Sequence, residues 1–497
     1  MKITFINPPV WKGTRPVDRV YGCTYALYPI PNIVAVGYAA VILETGLDAD
    51  YLDAANERIS ADTFLEKIRK DQSDVYSFHT TNLSQEIDLK TVREMRRIKP
   101  QVWFVFTGPA PTDRPDEFLL DDKMVVARGE ADYILRDIVL EIKNGGRREE
   151  FKKIKGASFI ENGKHVHNVS AGLIEDLDVL PIPARYLLKK GIFYNPKLPN
   201  EPVTSMLTSR NCAFQCVFCV PNSIGFAREI EYKRYNNNEN VSDGELPSGY
   251  GKFIKPPVRK RSAKKVIEEF VQLKKDGYRS VAIADDQFLW EEERTIEICD
   301  GIKNLGITWG CLARADRVTE KTAIAMAESG CRYVDFGVES LNPQTLLYIN
   351  KGTTKERIIE GIKILQKVGI KVKVNMLIGA DPNESSAMLW NSIKEITSLH
   401  PENIMYSIVS PYPGTKFYEI AKKEGFFMDR DFKAVSVHQK AITDLPNISA
   451  QDLEKIIRKA NYLFLFNWYT IKQNLWRLGR PKSAISALLA IREKLFS

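Results

Sequence analysis

The chain is poor in histidine and sparing with cysteine. Five histidines among 497 residues leave little material for a histidine-rich metal centre. Seven cysteines, three of them gathered between Cys212 and Cys219, do not make a disulfide framework and point to a reducing cytosol. No apolar run reaches the length of a membrane span. No charged N-terminal region followed by an apolar stretch is found, so no signal peptide is expected and the expected location is cytoplasmic. A basic excess over the body of the chain is missing too. The net charge is +8, but from Lys455 onward nine Lys or Arg stand against one acidic residue, Glu493, and that segment carries the whole surplus. Nucleic acid is therefore not an expected partner. The rest is ordinary globular composition, 44% apolar and 27% charged, in a chain long enough for two or three domains.

What is present is a cysteine loop. Cys212, Cys216 and Cys219 stand at spacing C-x-x-x-C-x-x-C, directly after Val203–Ser209, which reads as a strand. A loop at a strand end can fold its thiolates around one soft metal centre. Three ligands are one short of the four that close a structural zinc site. Iron–sulfur clusters are also held by thiolates, and three cysteines leave one iron open to a substrate or cofactor. From the residues alone two other readings stay open: thiols that merely lie close together, and a zinc-stabilised binding protein with no catalytic role.

Around this loop the chain alternates strands and helices. Residues 2–8 read as a buried strand stopped by Pro8 and Pro9, and Pro31–Gly46 as a helix closed by glycine. Strands follow at Ala49–Leu52, Val75–Phe78, Val102–Phe106 and Met124–Ala127, with helices at Asp62–Lys70, Ser84–Lys99 and Tyr133–Lys143 between them. Continuous apolar strands alternating with helices imply a doubly wound parallel sheet. Ligands of such sheets bind beyond the carboxyl ends of the strands. Those ends carry Asn7, Thr80, Thr107, Gly108, Gly129 and Glu130. A hairpin is expected at Gly156–Val169 around Asn162-Gly163, then an extended, proline-rich Leu177–Arg185. Arg228–Pro257, rich in Asn, Gly, Tyr and charge, reads as a loop, either a substrate lid or a solvated insertion.

Alternation resumes with the helix Ala263–Asp276, capped by Ser262 and ended at Gly277. Further strands are predicted at Ser280–Ala284, Ile307–Leu312, Tyr333–Phe336, Lys371–Ile378 and Ile404–Val409. With the strand before the cysteines they number six. Reactive residues of αβ barrels lie at the carboxyl ends of the strands, here Asp285, Arg314, Glu339, Ser340 and Asn375. Cys299, Cys311 and Cys331 sit in apolar contexts and read as core, whereas Cys23 lies in the N-terminal loop. Beyond Tyr418 the chain turns helical. Ala450–Leu465 is apolar at helical spacing, followed by Phe466, Trp468, Tyr469 and Trp476, then Arg477, Arg480, Lys482, Arg492 and Lys494. Such a run suits a membrane surface, and equally a helix docked on the catalytic domain with a solvated basic face.

The cysteine loop, with an aromatic before its last cysteine, resembles the signature of the radical S-adenosylmethionine (SAM) superfamily. The segments A-D-D-Q-F, A-R-A-D, F-G-V-E-S, L-I-G-A-D-P-N-E-S and P-Y-P-G-T-K-F-Y are similar to that family's wording. The opening I-N-P-P, the P-N-I-V-A-V-G-Y-A-A helix, the T-G-P loop and R-G-E-A-D resemble the cobalamin-binding domain that precedes many such enzymes, and L-D-x-L-P-x-P-A-R recurs between the two domains. The resemblance covers roughly residues 1 to 420. It is nearest to the branch of magnesium-protoporphyrin ester cyclases and hopanoid enzymes.

The resemblance implies a [4Fe-4S] cluster on Cys212, Cys216 and Cys219, with SAM chelated through its amino and carboxylate groups on the open iron. An electron from a donor such as flavodoxin or ferredoxin then gives a 5′-deoxyadenosyl radical, which takes hydrogen from an unactivated carbon. It puts Asp285 near the amino group of SAM, Arg314 opposite its carboxylate, and Glu339 and Ser340 near its ribose or carboxylate. It implies cobalamin at the strand ends of the N-terminal module. One departure matters: the D-x-H-x-x-G motif, whose histidine ligates cobalt in many cobalamin proteins, is absent, so cobalamin is expected without a protein ligand on cobalt.

The expected architecture is an N-terminal doubly wound α/β sheet (1–145), a connector with a hairpin (146–200), a partial (β/α)6 radical SAM barrel (201–420) and a helical basic extension (421–497). The expected reaction is cobalamin-dependent C-methylation of a large apolar small molecule. Cobalamin-independent cyclisation, carbon–carbon coupling or rearrangement of a lipid or tetrapyrrole is the alternative. Methylthiolation is disfavoured, because it needs a second cluster and the N-terminal module has only Cys23.

Overall fold

In the computed structural model the chain is described except for residues 15, 22–27, 237–254, 430–431, 433–434, 436, 475–487 and 489–497. It divides into two compact units. The first comprises Met1–Ile192, Arg210–Ala213 and Val220–Lys260, and the second comprises Phe193–Ser209, Phe214–Cys219 and Arg261–Ser497.

The first unit is built on seven strands: β1 (Lys2–Asn7), β2 (Asp48–Asp53), β3 (Val75–His79), β4 (Trp103–Thr107), β5 (Met124–Ala127), β6 (Ala157–Glu161) and β7 (Lys164–His167). Their order is β2-β1-β3-β4-β5-β6-β7. The first five are parallel, and β6 and β7 add antiparallel at the edge. The hairpin read from Asn162-Gly163 thus extends the sheet, with Asn162 at φ 49° and Gly163 at φ 75° in its tight turn. Strands β3 and β5 are buried at every position, as a parallel sheet covered on both faces requires. One face holds an aromatic core in which Phe78, Phe104, Phe106 and Phe118 lie with ring centroids 5.2–6.3 Å apart. Burial of each such ring is worth roughly 1.5–3 kcal/mol. The helix Ile33–Leu43, capped by Asn32 accepting from the Ala35 N–H at 3.0 Å, is buried almost all round.

The expectation of a loop over Arg228–Pro257 is corrected at its start. A helix runs Ser223–Asn236. Ala227 to Arg234 are mostly good helix formers, and Lys233 pairs with Glu229 one turn back at 3.0 Å. The asparagine run at 236–240 drew the reading toward a loop, but most of it lies after the helix. Residues 237–254 fall outside the described residues, as does Cys23.

The second unit is a six-stranded parallel sheet. Val203–Met206, Ser280–Ile283, Thr308–Ala313, Cys331–Glu339, Lys371–Ile378 and Asn403–Ile408 follow one another across it in sequence order. All six predicted strands are present, and Cys331–Glu339 is longer than expected at both ends. Successive strands are connected through helices, the βαβ arrangement of an open (β/α)6 barrel. Along Lys371–Ile378 burial alternates: Val372, Val374, Met376 and Ile378 enter the core against the helices, while Lys371, Lys373, Asn375 and Leu377 are only half-buried. Ser262 caps its helix as read, accepting from the Lys265 N–H at 3.2 Å. Cys299, Cys311 and Cys331 are core residues, and burial pushes all three thiols upward, Cys299 to about 11.

Ala450–Leu465 is a helix capped by Ser449, and Leu453, Ile456, Ile457, Ala460 and Phe464 join the same core. Beyond that face the aromatics are exposed. Phe466 is 65% and Trp468 74% accessible, and Tyr462 stacks on Phe466 at 5.7 Å. Arg477, Arg480, Lys482, Arg492, Lys494 and Trp476 lie outside the described residues. Among the described residues no helix is long and apolar enough to cross a membrane.

Candidate active site and cofactor positions

The strand Val203–Met206 feeds the cysteine loop, and Asp285 fixes the turn between them. Asp285 is fully buried. One carboxylate oxygen accepts from the Thr208 N–H at 2.6 Å, and the other accepts from the hydroxyls of Thr208 and Ser209 at 2.5 and 2.8 Å. Burial raises its pKa against these bonds, which favour the carboxylate. The Thr208 carbonyl also accepts from the Arg294 guanidinium at 3.1 Å. What the structure gives Asp285 is therefore a positional task, with both oxygens engaged by the start of the loop.

Cys212 and Cys219 are half-buried, Cys216 is buried, and none is in a disulfide. The second half of the loop is stitched from several sides. Val217 N–H donates to the Ile349 carbonyl at 3.1 Å, Phe417 N–H to the Val217 carbonyl at 2.9 Å, and Asn350 Nδ2 to the Gln215 carbonyl at 3.0 Å. Asn350 adopts φ 53°, the left-handed region that asparagine tolerates well. Phe214, between the first two cysteines, is held over the ring of Trp290 at 6.2 Å and 17°, and the Arg314 guanidinium lies 3.6 Å from its centroid. Such a cation–π contact is worth about 0.5–2 kcal/mol. Arg314 also makes a bidentate pair with Asp316 at 3.0 and 3.1 Å.

Glu339 ends its strand at a register shift and holds φ 67°. A buried glutamate in that region stores of order 1–3 kcal/mol, a strain that clusters at functional sites. Its carboxylate accepts from Lys351 Nζ at 3.0 Å. Lys351 is itself buried. Burial opposes its charge, but Glu339 and the thiol of Cys216 outweigh this and hold its pKa above the usual lysine range. Ser340, also buried, accepts from the Asn342 N–H at 3.0 Å. The second unit therefore brings Arg314, Phe214, Glu339 and Lys351 around the Cys216 half of the loop. Of these, Arg314 and Glu339 were singled out in the sequence, together with Ser340. Sequence reading missed Lys351, Asn350 and Trp290, whose letters carry no motif and whose approach to the loop is created by the sheet.

In the first unit Arg210 pairs with Glu130 and Asp132, each at 2.8 Å, and Arg259 pairs with Glu130 at 2.6 Å. Burial alone would raise the Glu130 carboxyl, but these two guanidinium groups hold it down at about 2. Asn7 donates to Asp53 at 2.6 Å and accepts from Arg19 at 2.9 Å. Thr107 hydrogen-bonds His79 Nδ1 at 3.0 Å. Gly108 holds φ 100°, and a Cβ there would lie 2.5 Å from the Thr80 carbonyl. Gly129 donates its N–H to Thr112 at 2.9 Å, and a Cβ there would press on Glu231 at 3.1 Å. Of the six strand-end residues, Thr80 alone has a buried side-chain oxygen without a hydrogen-bond partner.

The strand order 2-1-3-4-5 puts the topological switch point between β1 and β3. Arg19 fills that point, donating to the His79 carbonyl at 2.8 Å and to both oxygens of Asp88 at 2.7 and 2.6 Å. His79 is fixed at both ring nitrogens, Nδ1 by Thr107 and Nε2 by Ser223 at 2.7 Å. Burial and then Arg19 depress it to about 3, so it is neutral.

A βα sheet carrying a three-cysteine loop on its first strand, with a strained glutamate at a later strand end, is the arrangement of a radical SAM domain. Residues 206–396 match the radical SAM superfamily, and the chain carries a radical SAM domain. The superfamily's cofactors are the [4Fe-4S] cluster and SAM.

Among curated relatives, the chain is 28% identical over 470 residues to an uncharacterised methyltransferase of Pyrococcus horikoshii, covering 93% of this chain and 92% of the relative. It is 21% identical to the anaerobic magnesium-protoporphyrin IX monomethyl ester cyclase of Cereibacter sphaeroides, over 84% of this chain and 63% of that one. Among solved structures it shares its fold with the cobalamin-dependent SAM radical enzyme OxsB (TM-score 0.68, 14% identity, 98% of this chain and 72% of that one). The same holds for the radical SAM methyltransferase TsrM of Kitasatospora setae (TM-score 0.61, 16% identity, 85% and 76%).

The donor set fits the cluster. Among the described residues no group of three His, Cys, Asp or Glu side chains is gathered closely enough to hold a metal ion. A four-iron cluster takes its thiolates on different irons, and three thiols on one loop are that donor set. For a corrinoid in the first unit the fit is partial and specific. The Thr80 hydroxyl is buried and unpartnered at the carboxyl edge, while His79, engaged at both nitrogens, is not free to ligate cobalt.

Proposed function

We propose that the protein is a cobalamin-dependent radical SAM methylase acting at an unactivated carbon of a small molecule. The observation that carries the reading is the pairing, in one chain, of the cysteine loop with a 2-1-3-4-5 sheet, over the whole span shared with OxsB. Cys212, Cys216 and Cys219 hold the cluster. Arg314, Glu339 and Ser340 stand at the strand ends where SAM is bound and oriented. Asp285 acts on the site through the loop it anchors, and Lys351 keeps the charge of Glu339 compensated. When bound, the corrinoid supplies the methyl group to the substrate radical. The carboxyl edge of the first unit, with Thr80 unpartnered, holds it without a protein nitrogen on cobalt. A large apolar substrate and a flavodoxin or ferredoxin donor complete the reading.

Anaerobic purification followed by iron, sulfide and corrinoid analysis tests it. Roughly four irons and one corrinoid per chain are expected. A chain that cleaves SAM but takes up no corrinoid would return the reading to radical cyclisation, which the similarity to the cyclase of Cereibacter sphaeroides supports.

The exposed Tyr462, Phe466 and Trp468, followed by the basic tail, support a second element, peripheral contact with an anionic membrane. Each basic residue near such a surface contributes about 1 kcal/mol at low salt, and screening weakens it. The full chain is expected to sediment with anionic vesicles, to release partly in high salt, and to lose binding when cut after residue 465. Equal sedimentation of the truncated chain removes this element.

A further inference from the structure

One buried arginine of the first unit has no carboxylate. Arg228, on the helix Ser223–Asn236, is 2% exposed. Among the described residues its one hydrogen bond is from a terminal nitrogen to the Ala171 carbonyl at 2.9 Å, and its Nε is buried without an acceptor there. Among the described residues no carboxylate lies within ion-pair distance of it. Its neighbours differ. Arg128 has Glu231 at 3.1 Å, Arg210 has Glu130 and Asp132 at 2.8 Å, and Arg259 has Glu130 at 2.6 Å. Arg234 reaches Glu231 and Asp113 at 3.6 Å, and Asp113 is already shared with Arg114 at 2.7 Å.

The acids in range of Arg228 are thus spoken for. Of five buried guanidinium groups, those of Arg128, Arg210, Arg228, Arg234 and Arg259, four have a carboxylate among Glu130, Asp132, Glu231 and Asp113, and Arg228 is left without one. An uncompensated buried cation is expensive, by several kcal/mol. Burial lowers the Arg228 pKa, with Glu130 and Glu231 compensating only through space. A protein keeps such a group where an anion is to arrive, and the planar guanidinium fork suits a tetrahedral oxyanion.

The location agrees. A Cβ on Gly129, just past the end of β5, would stand 3.7 Å from an Arg228 terminal nitrogen, so the backbone at that strand end passes against the guanidinium. Thr80, with its unpartnered hydroxyl, follows β3, two strands away along the same carboxyl edge, a separation of about 10 Å at ordinary strand spacing. With Arg19 filling the switch point, the open polar groups of this edge lie over β3 to β5.

We propose that Arg228 is the anchor of a phosphate-binding site on the carboxyl edge of the first unit, taking one phosphate group of a ligand that also reaches Thr80. The phosphate belongs either to the nucleotide tail of cobalamin, which rests on the reading above, or to the substrate, which does not.

Thermal unfolding of the cluster-loaded protein tests the site, with sodium phosphate compared with sodium chloride at equal ionic strength. Wild type is expected to gain in melting temperature with phosphate, and Arg228→Gln to show no gain. In chloride, Arg228→Gln is expected to melt no lower than wild type, because it removes an unpaired buried charge. An equal phosphate gain in the variant, no gain in wild type, or a variant that melts lower in chloride each overturns the proposal, the last by making Arg228 structural.

Absorbance titration with aquacobalamin and with cobinamide, which lacks the phosphate and nucleotide, separates the sources. If wild type prefers cobalamin by about tenfold or more and Arg228→Gln erases the preference, the phosphate is the corrinoid's. If the variant loses the phosphate gain and keeps both corrinoid affinities, the phosphate is the substrate's. Wild type that binds neither corrinoid removes the cobalamin reading, while the phosphate comparison still decides the site.

Discussion

In the first unit the residues just beyond the strand ends are largely spent on one another. Glu130 is shared by two arginines, Asn7 by Asp53 and Arg19, and His79 by Thr107 and Ser223. In the second unit the same edge of a parallel sheet holds Cys216 and Cys219, a glutamate at φ 67° and a lysine kept charged while buried. Both edges are polar, and both follow the rule that ligands meet a parallel sheet at its carboxyl ends. The difference lies in what is left over. The first edge is a cage of ion pairs with one hydroxyl and one guanidinium unsatisfied, which suits holding a ligand still. The second stores strain and charge around a reactive loop, which suits chemistry.

The largest effect that tests this contrast is removal of the thiols. Changing Cys212, Cys216 and Cys219 together to Ala is expected to abolish iron binding and SAM cleavage with circular dichroism unchanged, since these side chains add little to the core. SAM cleavage surviving in that variant would end the reading of the second edge.

Next comes Asp285. Asp285→Ala leaves the Thr208 N–H and two hydroxyls without their shared acceptor, and bonds to a charged group are worth about 1.5–3 kcal/mol each before relaxation. A loss of about 3 kcal/mol or more in stability is expected, with cluster retention falling alongside. A variant with wild-type melting and full iron would show that the loop does not depend on this anchor.

A smaller, pH-dependent effect is expected at Glu384. It is buried, accepts from Thr345 at 2.7 Å through one oxygen, and has the other unpartnered. Burial raises its pKa to about 7. The folded form therefore holds a proton that the unfolded chain, near 4.5, releases, so this group's stabilisation is full at acid pH and is lost as pH rises from about 4.5 through 7. The loss is on the order of 3 kcal/mol. Glu384→Gln, which keeps the proton's geometry without the charge, should melt with less dependence on pH over that window. Parallel melting curves for variant and wild type would refute the assignment.

The smallest signal expected is an absence. With His79 held at both nitrogens, electron paramagnetic resonance of any bound cobalt(II) corrinoid should show no nitrogen splitting from the protein, and His79→Ala should leave the spectrum unchanged. A protein-derived nitrogen in wild type that vanishes in the variant would contradict this.

Much of this was legible in the letters. Short, largely apolar runs such as Val75–Phe78 and Met124–Ala127, set between helices, read as strands buried on both faces, and the spacing of Cys212, Cys216 and Cys219 pointed to a metal centre that the family resemblance narrowed to a cluster. Glycine at 46, 277 and 163 marked where the chain turns, because a left-handed φ selects it. The helix Ser223–Asn236 was missed because a polar, charged segment has no apolar stripe to betray it. It is buried by ion pairs with residues about a hundred positions away, Arg128 with Glu231 among them.

Local pattern determines which segments form strands and helices, and which residue types the cysteine loop offers a metal, since these depend on neighbours a few positions apart. Which arginine is left without a carboxylate, that Asp285 is consumed by the start of a loop 77 positions earlier, and that Lys351 stands beside Glu339 depend on groups brought together by the fold. Only the assembled sheets fix those distances, and Coulomb energies and hydrogen bonds at 3 Å follow distance rather than sequence order.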